Sequence, residues 1–283
     1  MGLREINKFL EDKKFIPSKK MGQNFLVNEK IKKMIVSAAK INKNDWVLEI
    51  GPGTGAITSI LLTYKIKLVA FELDKRLFSL LEKKYSSYNN FFLVNVDALK
   101  INWDDQIHII NSKVDNITLV ANLPYSISSL LVFKILNSKI INKAIIMVQK
   151  EMADRLAAKV NTKDYNAFSA LIQLFLDIKK LFLVDSKNFS PPPKVKSTVI
   201  EITKKTLDNS LYTIKEIDRI NAFFKLSFLN RRKTLINNLA KTINKKLIID
   251  KLKENNLDLN TRAEQLNPIT LVKLMKELNF NYD

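Results

Sequence analysis

Three of the five glycines in this 283-residue chain fall in one stretch, Glu49-Ile50-Gly51-Pro52-Gly53-Thr54-Gly55-Ala56. Clustered glycines let the backbone take positive φ and let a ligand approach without meeting a Cβ. The helix expected to follow presents free N–H groups, so Gly51 and Gly53 are candidate cofactor-binding residues. The spacing also satisfies G-x-G-x-x-G/A through Ala56, which keeps a dinucleotide as a rival ligand. Glu72 ends the next apolar run and suits the two hydroxyls of a ribose in either case. Asp97 follows a third run, where an acid can accept a hydrogen bond from the N6 amine of a bound adenine. Two acids after successive strands favour S-adenosylmethionine over a nicotinamide dinucleotide.

Asn122-Leu123-Pro124-Tyr125 fits one chemical problem. An exocyclic aromatic amine is a poor nucleophile, because its lone pair is delocalised into the ring. Two acceptors, the Asn122 side-chain oxygen and the carbonyl of Leu123 or Pro124, would take its two N–H groups and localise that lone pair toward a sulfonium methyl. Such electrostatic positioning contributes a few kcal/mol to a barrier. Tyr125 offers an aromatic face to a flipped base, and base stacking is worth about 1 to 3 kcal/mol. No tuned general base is required, since the cationic product loses its proton to water.

The elements that must hold these residues read as alternating short strands and helices. Asn28 can cap a helix with the apolar stripe Ile31, Met34, Ile35 and Ala38. Trp46–Ile50, Leu68–Phe71, Phe91–Val96, Ile117–Ala121 and Ala144–Val148 are mostly branched or aromatic runs separated by helical patterns. That alternation predicts an α/β fold, a mostly parallel Rossmann-like sheet covered on both faces. Leu181–Val184 and Thr198–Ile202 flank Pro191-Pro192-Pro193 and are expected to form an antiparallel edge hairpin. Beyond residue 206 the stretches Ile214–Leu229, Lys233–Ile243, Ile248–Asn255 and Pro268–Leu278 read as amphipathic helices. The expected division is therefore a catalytic domain over 1–206, with a basic N-terminal arm, and a small all-α domain over 207–283.

Composition narrows the chemistry further. The chain has no Cys and one His, His108, which argues against disulfides, zinc clusters and Ser-His or Cys-His nucleophiles, and no metal site is expected. A formal charge of +19, from 47 Lys+Arg against 28 Asp+Glu, suits a phosphate-binding surface, although a genome-wide Lys and Asn bias would raise it too. Met1–Leu10 has no apolar run of the secretory kind, and Leu130–Val148 is interrupted by Lys134, Lys139 and Lys143. A cytoplasmic location is the resulting expectation.

The sequence resembles the ribosomal RNA adenine N6-dimethyltransferase family over nearly its whole length. Gln23-Asn24-Phe25-Leu26, Leu48 to Gly55, Asn122 to Tyr125, Met147-Val148-Gln149-Lys150-Glu151 and Phe189-Ser190-Pro191-Pro192-Pro193-Lys194-Val195 occur in the family's order. The resemblance implies that Asn24, Leu26, Gly51, Glu72, Asp97 and Asn122 contact S-adenosylmethionine. It further implies that Phe189 joins Tyr125 in sandwiching the target adenine. Leu123, Lys194-Val195, Phe228 to Leu235 and Arg262-Ala263-Glu264 are more similar to the branch that dimethylates two adjacent adenines near the 3′ end of small-subunit 16S rRNA. The other enzymatic branch modifies a large-subunit adenine and confers macrolide resistance. A third, mitochondrial transcription-factor group makes a non-catalytic binding and assembly factor the alternative from another class. Ser126 and Ser129 depart from the family's usual Asn and Thr, and Asn166 stands where a small residue or glycine is usual. Lys19 and Lys20 in the arm, and Arg231, Arg232 and Lys233, are the expected RNA contacts. The helical domain would read RNA shape, and the enzyme is expected to act as a monomer on 16S rRNA in the small subunit or its assembly intermediate.

Overall fold

The computed structural model describes residues 15–18, 22–205 and 213–281. In chain order the elements are β1 (Phe25–Leu26), α1 (Glu29–Ala39), β2 (Trp46–Ile50), α2 (Thr58–Leu61), β3 (Lys67–Glu72), α3 (Lys75–Lys84), β4 (Phe91–Asn95), α4 (Trp103–Ile110) and β5 (Ile117–Asn122). They continue with α5 (Ser128–Asn137), β6 (Ile141–Gln149), α6 (Lys150–Leu156), α7 (Ala167–Phe175), β7 (Leu176–Val184), β8 (Phe189–Ser190) and β9 (Ser197–Lys204). The last four are α8 (Ile214–Ser227), α9 (Leu235–Leu239), α10 (Lys245–Glu254) and α11 (Pro268–Glu277).

Seven strands form one sheet in the order β4-β3-β2-β5-β6-β9-β7. Pairings from β4 through β6 are parallel and β9 runs antiparallel to β6, the mostly parallel Rossmann-like sheet expected from the sequence. From β2 the chain winds outward through β3 and β4, then returns to place β5 on the other side of β2. The strand order reverses between β2 and β5, and a crevice opens beyond their carboxyl ends at such a switch point. The central strands are apolar along their length because both faces are covered: Val47, Leu48, Leu68, Val69, Leu119 and Val120 have no exposed surface. Asn28 caps α1 as expected, its side chain accepting the Ile31 N–H.

Three expectations are adjusted. The strand read as Leu181–Val184 begins five residues earlier, at Leu176, because it is the sheet's edge, where charged residues such as Asp177 and Lys180 replace an apolar run. β7 and β9 are sheet neighbours, but the connection between them contains β8, which pairs with β1 in a separate two-stranded sheet. The helix read over Lys233–Ile243 contracts to Leu235–Leu239, capped by Thr234, and the helix read from Ile248 begins at Lys245, capped by Asn244.

The chain divides into two compact units, residues 1–153 with 179–204 and residues 154–178 with 205–283. In this division 154–178 goes with the C-terminal helices. The reason is apolar: α7 buries Ala170, Leu171, Ile172, Leu174 and Phe175 and packs against α8 and α11. Tyr165 adds an edge-on ring contact with Phe228 and a hydrogen bond from its hydroxyl to the Leu266 carbonyl at 3.1 Å. Asn166 begins α7 as a capping-box residue, accepting from the N–H groups of Phe168 and Ser169. Among the described residues no helix is long and apolar enough to cross a membrane.

Candidate active site

A cavity of about 410 Å³ lies at the carboxyl ends of β2, β3, β4 and β5. Each strand delivers one part of it. β2 ends in the glycine turn, where Gly51 has φ +69° and donates its N–H to the Phe71 carbonyl at 2.9 Å. A Cβ built on Gly51 would meet nothing within 4 Å, so the turn leaves open space on the cavity side. Gly55 serves packing instead: a Cβ there would lie 2.8 Å from the Tyr85 hydroxyl and 3.0 Å from Leu81. Thr54 in the same loop lines the cavity and is 1% exposed, yet its hydroxyl has no partner in the structure. An orphaned buried hydroxyl beside a cradle without side chains is what a polar ligand would complete.

Glu72 closes β3. One carboxylate oxygen accepts the Gly53 N–H at 3.0 Å and the other the Asp74 N–H at 2.8 Å, which aims the group along the glycine turn. Burial pushes its pKa up to about 6, against the two N–H donors that favour the ionised form. Glu49 on β2 is buried more completely and accepts the Thr58 hydroxyl at 2.6 Å; desolvation lifts its carboxyl to about 8. Asp97 follows β4. Its Oδ1 accepts the Leu99 N–H at 2.9 Å, and its Oδ2 has no partner among the described residues.

β5 supplies the chemical end. Asn122 donates from Nδ2 to the Asn24 carbonyl at 3.3 Å, which leaves its Oδ1 as the open acceptor. Leu123 is anchored by donating its N–H to the Met147 carbonyl at 3.1 Å. Of the two backbone acceptors expected here, Pro124 O already takes the Ile127 N–H at 3.3 Å, while Leu123 O accepts nothing among the described residues. Tyr125 is half-buried, and its hydroxyl is 2.7 Å from Ser197 Oγ at the start of β9.

The N-terminal segment forms another wall: Ser18, Gly22, Gln23, Asn24, Phe25 and Leu26 all line the cavity. Gln23 fastens it, donating to Asp74 Oδ2 at 2.9 Å and accepting the Ser18 N–H at 2.7 Å. Asp74 is held down to about pKa 2, first by the Arg76 guanidinium and then by Gln23. Arg76 also stands 4.2 Å over the Phe15 ring.

The structure thus brings Asn24, Leu26, Gly51, Gly53, Glu72, Asp97, Asn122, Leu123, Pro124 and Tyr125 around one cavity. It does not bring Phe189 there. That ring is 3% exposed and belongs to the apolar core with Leu26 and Val184, because β8 pairs with β1 and turns it inward. The expectation for Arg231 changes as well. Its guanidinium binds Glu264 and the carbonyls of Lys163 and Thr162, so it is a tether within the C-terminal unit. Arg232 and Lys233 are exposed, whereas Lys19 and Lys20 lie outside the described residues. Ser126 is exposed at the cavity's rim, and Ser129 lies half-buried in α5. Thr54, Gln23 and Ser197 were missed as site residues. Thr54 and Gln23 sit inside the glycine and Gln23-to-Leu26 motifs, whereas Ser197 lies beyond the proline run, past Lys194, Val195 and Lys196, and no local signal marks it. Among the described residues no cluster of His, Asp and Glu is placed to hold a metal ion.

The family model of ribosomal RNA adenine dimethylase matches residues 16–279. The Ribosomal RNA small subunit methyltransferase A of Ureaplasma parvum is 50% identical over 273 residues, spanning 95% of this chain and 96% of the relative. Among solved structures, a dimethyladenosine transferase from Plasmodium falciparum is 30% identical with a TM-score of 0.76, covering 90% of this chain and 97% of that one. The 23S rRNA methyltransferase ErmE has a TM-score of 0.67 at 23% identity, covering 91% of this chain and all of the other, a likeness of fold alone.

Proposed function

The chain belongs to the ribosomal RNA adenine dimethylase family, and on that premise we propose that it dimethylates N6 of two adjacent adenosines near the 3′ end of 16S rRNA, acting in the cytoplasm as a monomer on the small subunit or its assembly intermediate. S-adenosylmethionine, the family's cofactor, supplies an electrophilic methyl group when bound. The residues present fit it: an open glycine turn, an unpaired Thr54 hydroxyl, a carboxylate at Glu72 for the ribose and a free oxygen on Asp97 for the adenine amine.

The observation that carries the reading is the pair of open acceptors, Asn122 Oδ1 and Leu123 O, on the cavity that the glycine turn also lines. In this reading they take the two N–H groups of an exocyclic amine and so turn its lone pair out of conjugation. The Tyr125 ring, oriented through Ser197, gives the extruded base a stacking face. The proton released on methylation goes to water, so the lack of a histidine in the cavity is no obstacle. Phe189 becomes a second stacking face only if β8 moves when RNA binds. The C-terminal unit, with Arg232 and Lys233 exposed, serves as the rRNA-recognition surface.

The test uses labelled S-adenosylmethionine with under-methylated small and large subunits, followed by identification of the labelled nucleoside. N6,N6-dimethyladenosine in small-subunit RNA alone is the expected result, with a loss of about a hundred-fold or more in Asn122→Ala. Label confined to large-subunit RNA would overturn the choice of substrate. Binding to the small subunit without any label would favour a non-catalytic assembly factor.

A further inference from the structure

The loop after β4 that carries Asp97 is held from several sides. Trp103, 3% exposed, donates its ring N–H to the Ala98 carbonyl at 2.7 Å. Lys134, reaching across from α5, donates from Nζ to the Ile101 carbonyl at 2.6 Å and lies 5.9 Å from the centroid of the Trp103 ring. Asp97, Ala98 and Leu99 line the cavity, whereas Lys134 does not. Burial lowers the Lys134 pKa and the charge on Asp97 raises it, so the two groups interact although they do not form an ion pair at contact distance. The reaction derived above makes no use of this half-buried ammonium. Holding a charged side chain in such a place is costly unless it is hydrogen-bonded, and the bond to the Ile101 carbonyl fixes where this one sits.

We propose that Lys134 is a positioning residue for cofactor selection: tied to Ile101 and facing Asp97 with a positive charge, it holds the free Asp97 oxygen where it accepts the 6-amino group of the cofactor's purine. The inference rests on Asp97 being the adenine acceptor, as proposed above. A 6-amino purine turns a donor toward that oxygen, whereas a 6-oxo purine turns an acceptor toward it and is rejected. Lys134 sharpens this choice in two ways. Its charge attracts the carboxylate, and its bond to the Ile101 carbonyl keeps the loop from relaxing away.

The test is calorimetric binding of two ligands, S-adenosylhomocysteine and S-inosylhomocysteine, which differ at the 6-position of the purine. Lys134→Met is expected to weaken the 6-amino ligand by about ten-fold, the scale of one charge-assisted hydrogen bond, and to leave the 6-oxo ligand nearly unchanged. Lys134→Arg should restore most of the preference. In an Asp97→Ala background Lys134→Met should change it no further, as expected of two residues acting through one contact. Should Lys134→Met not fold, Lys134→Gln removes the charge while keeping a donor for Ile101 and gives the same comparison. Equal weakening of both ligands, or an unchanged preference, overturns the proposal. If Asp97→Ala itself keeps the preference, the assignment of Asp97 as the adenine acceptor fails, and the role of Lys134 falls with it.

Discussion

Glu49 gives the most quantitative test of the site's electrostatics. It is 2% exposed, accepts one hydroxyl from Thr58, and has its carboxyl lifted from 4.5 to about 8. Burial is the main cause and the nearby charge of Glu72 adds to it. A carboxyl raised on folding makes the folded state bind its proton more tightly than the unfolded chain does. Stability from this group is therefore complete below about pH 4.5 and is lost as the pH climbs through about 8. At 1.36 kcal/mol per pKa unit the loss is about 5 kcal/mol, a large part of an ordinary unfolding free energy of about 5 to 15 kcal/mol. Glu49→Gln keeps the shape and an acceptor for Thr58 but cannot ionise. Both tryptophans, Trp46 and Trp103, lie in the catalytic unit, so urea unfolding followed by their fluorescence reports on that unit. Wild type and Glu49→Gln should be about equally stable at pH 5 and diverge steadily above it, with the variant the more stable at pH 8. Parallel stability curves across that range would show that Glu49 is already ionised in the fold, and the reasoning would be wrong.

Glu72 should make cofactor affinity pH-dependent: with a pKa of about 6, its ionised form accepts from both ribose hydroxyls with charge-assisted bonds, whereas the protonated carboxyl has lost its charge and turned one oxygen into a donor, so binding at pH 5 should be about ten-fold weaker than at pH 7.5, and Glu72→Gln should bind weakly with little pH dependence in calorimetry. Ser197→Ala removes the partner of the Tyr125 hydroxyl and should lower turnover by about ten-fold while leaving the dissociation constant for S-adenosylhomocysteine unchanged. A change in that constant would mean that the hydroxyl pair supports the cofactor side instead. Arg231→Ala should destabilise the C-terminal unit by about 1 to 2 kcal/mol, seen in its hydrogen exchange, because three hydrogen-bond partners are lost. Arg232→Ala and Lys233→Ala should each leave stability alone and lower the salt dependence of rRNA binding by about one counterion.

Much of the site could be read from the chain because its parts are local. The glycine turn, Asn122 to Tyr125 and the acids after β3 and β4 each follow a short apolar strand, and a parallel sheet places all strand ends on one side. Asn28 was legible as a cap for the same local reason. What escaped reading depends on partners far away in sequence. Arg231 looks like a free cation until Glu264 and the carbonyls of Lys163 and Thr162 are found around it. Phe189 is assigned to the target base by the resemblance alone, and the pairing of β8 with β1 places it in the apolar core instead. The edge strand β7 is hidden by its own charges, since an edge needs no apolar alternation on its solvent side. Residues 154–178 read as part of the catalytic domain, because nothing in α7 itself says which apolar surface it will meet.

The pairing of Leu26 with Phe189 joins parts of the chain roughly 160 residues apart, and it carries the segment that holds the side chain of Asn122. Closing so long a loop is entropically costly, and such contacts form late in folding. A chain emerging from the ribosome can build β2 to β5 early, yet the segment whose Asn24 carbonyl accepts from Asn122 gains its strand partner only after β8 has been made. Methyl-transfer competence thereby waits until roughly two-thirds of the chain has been made.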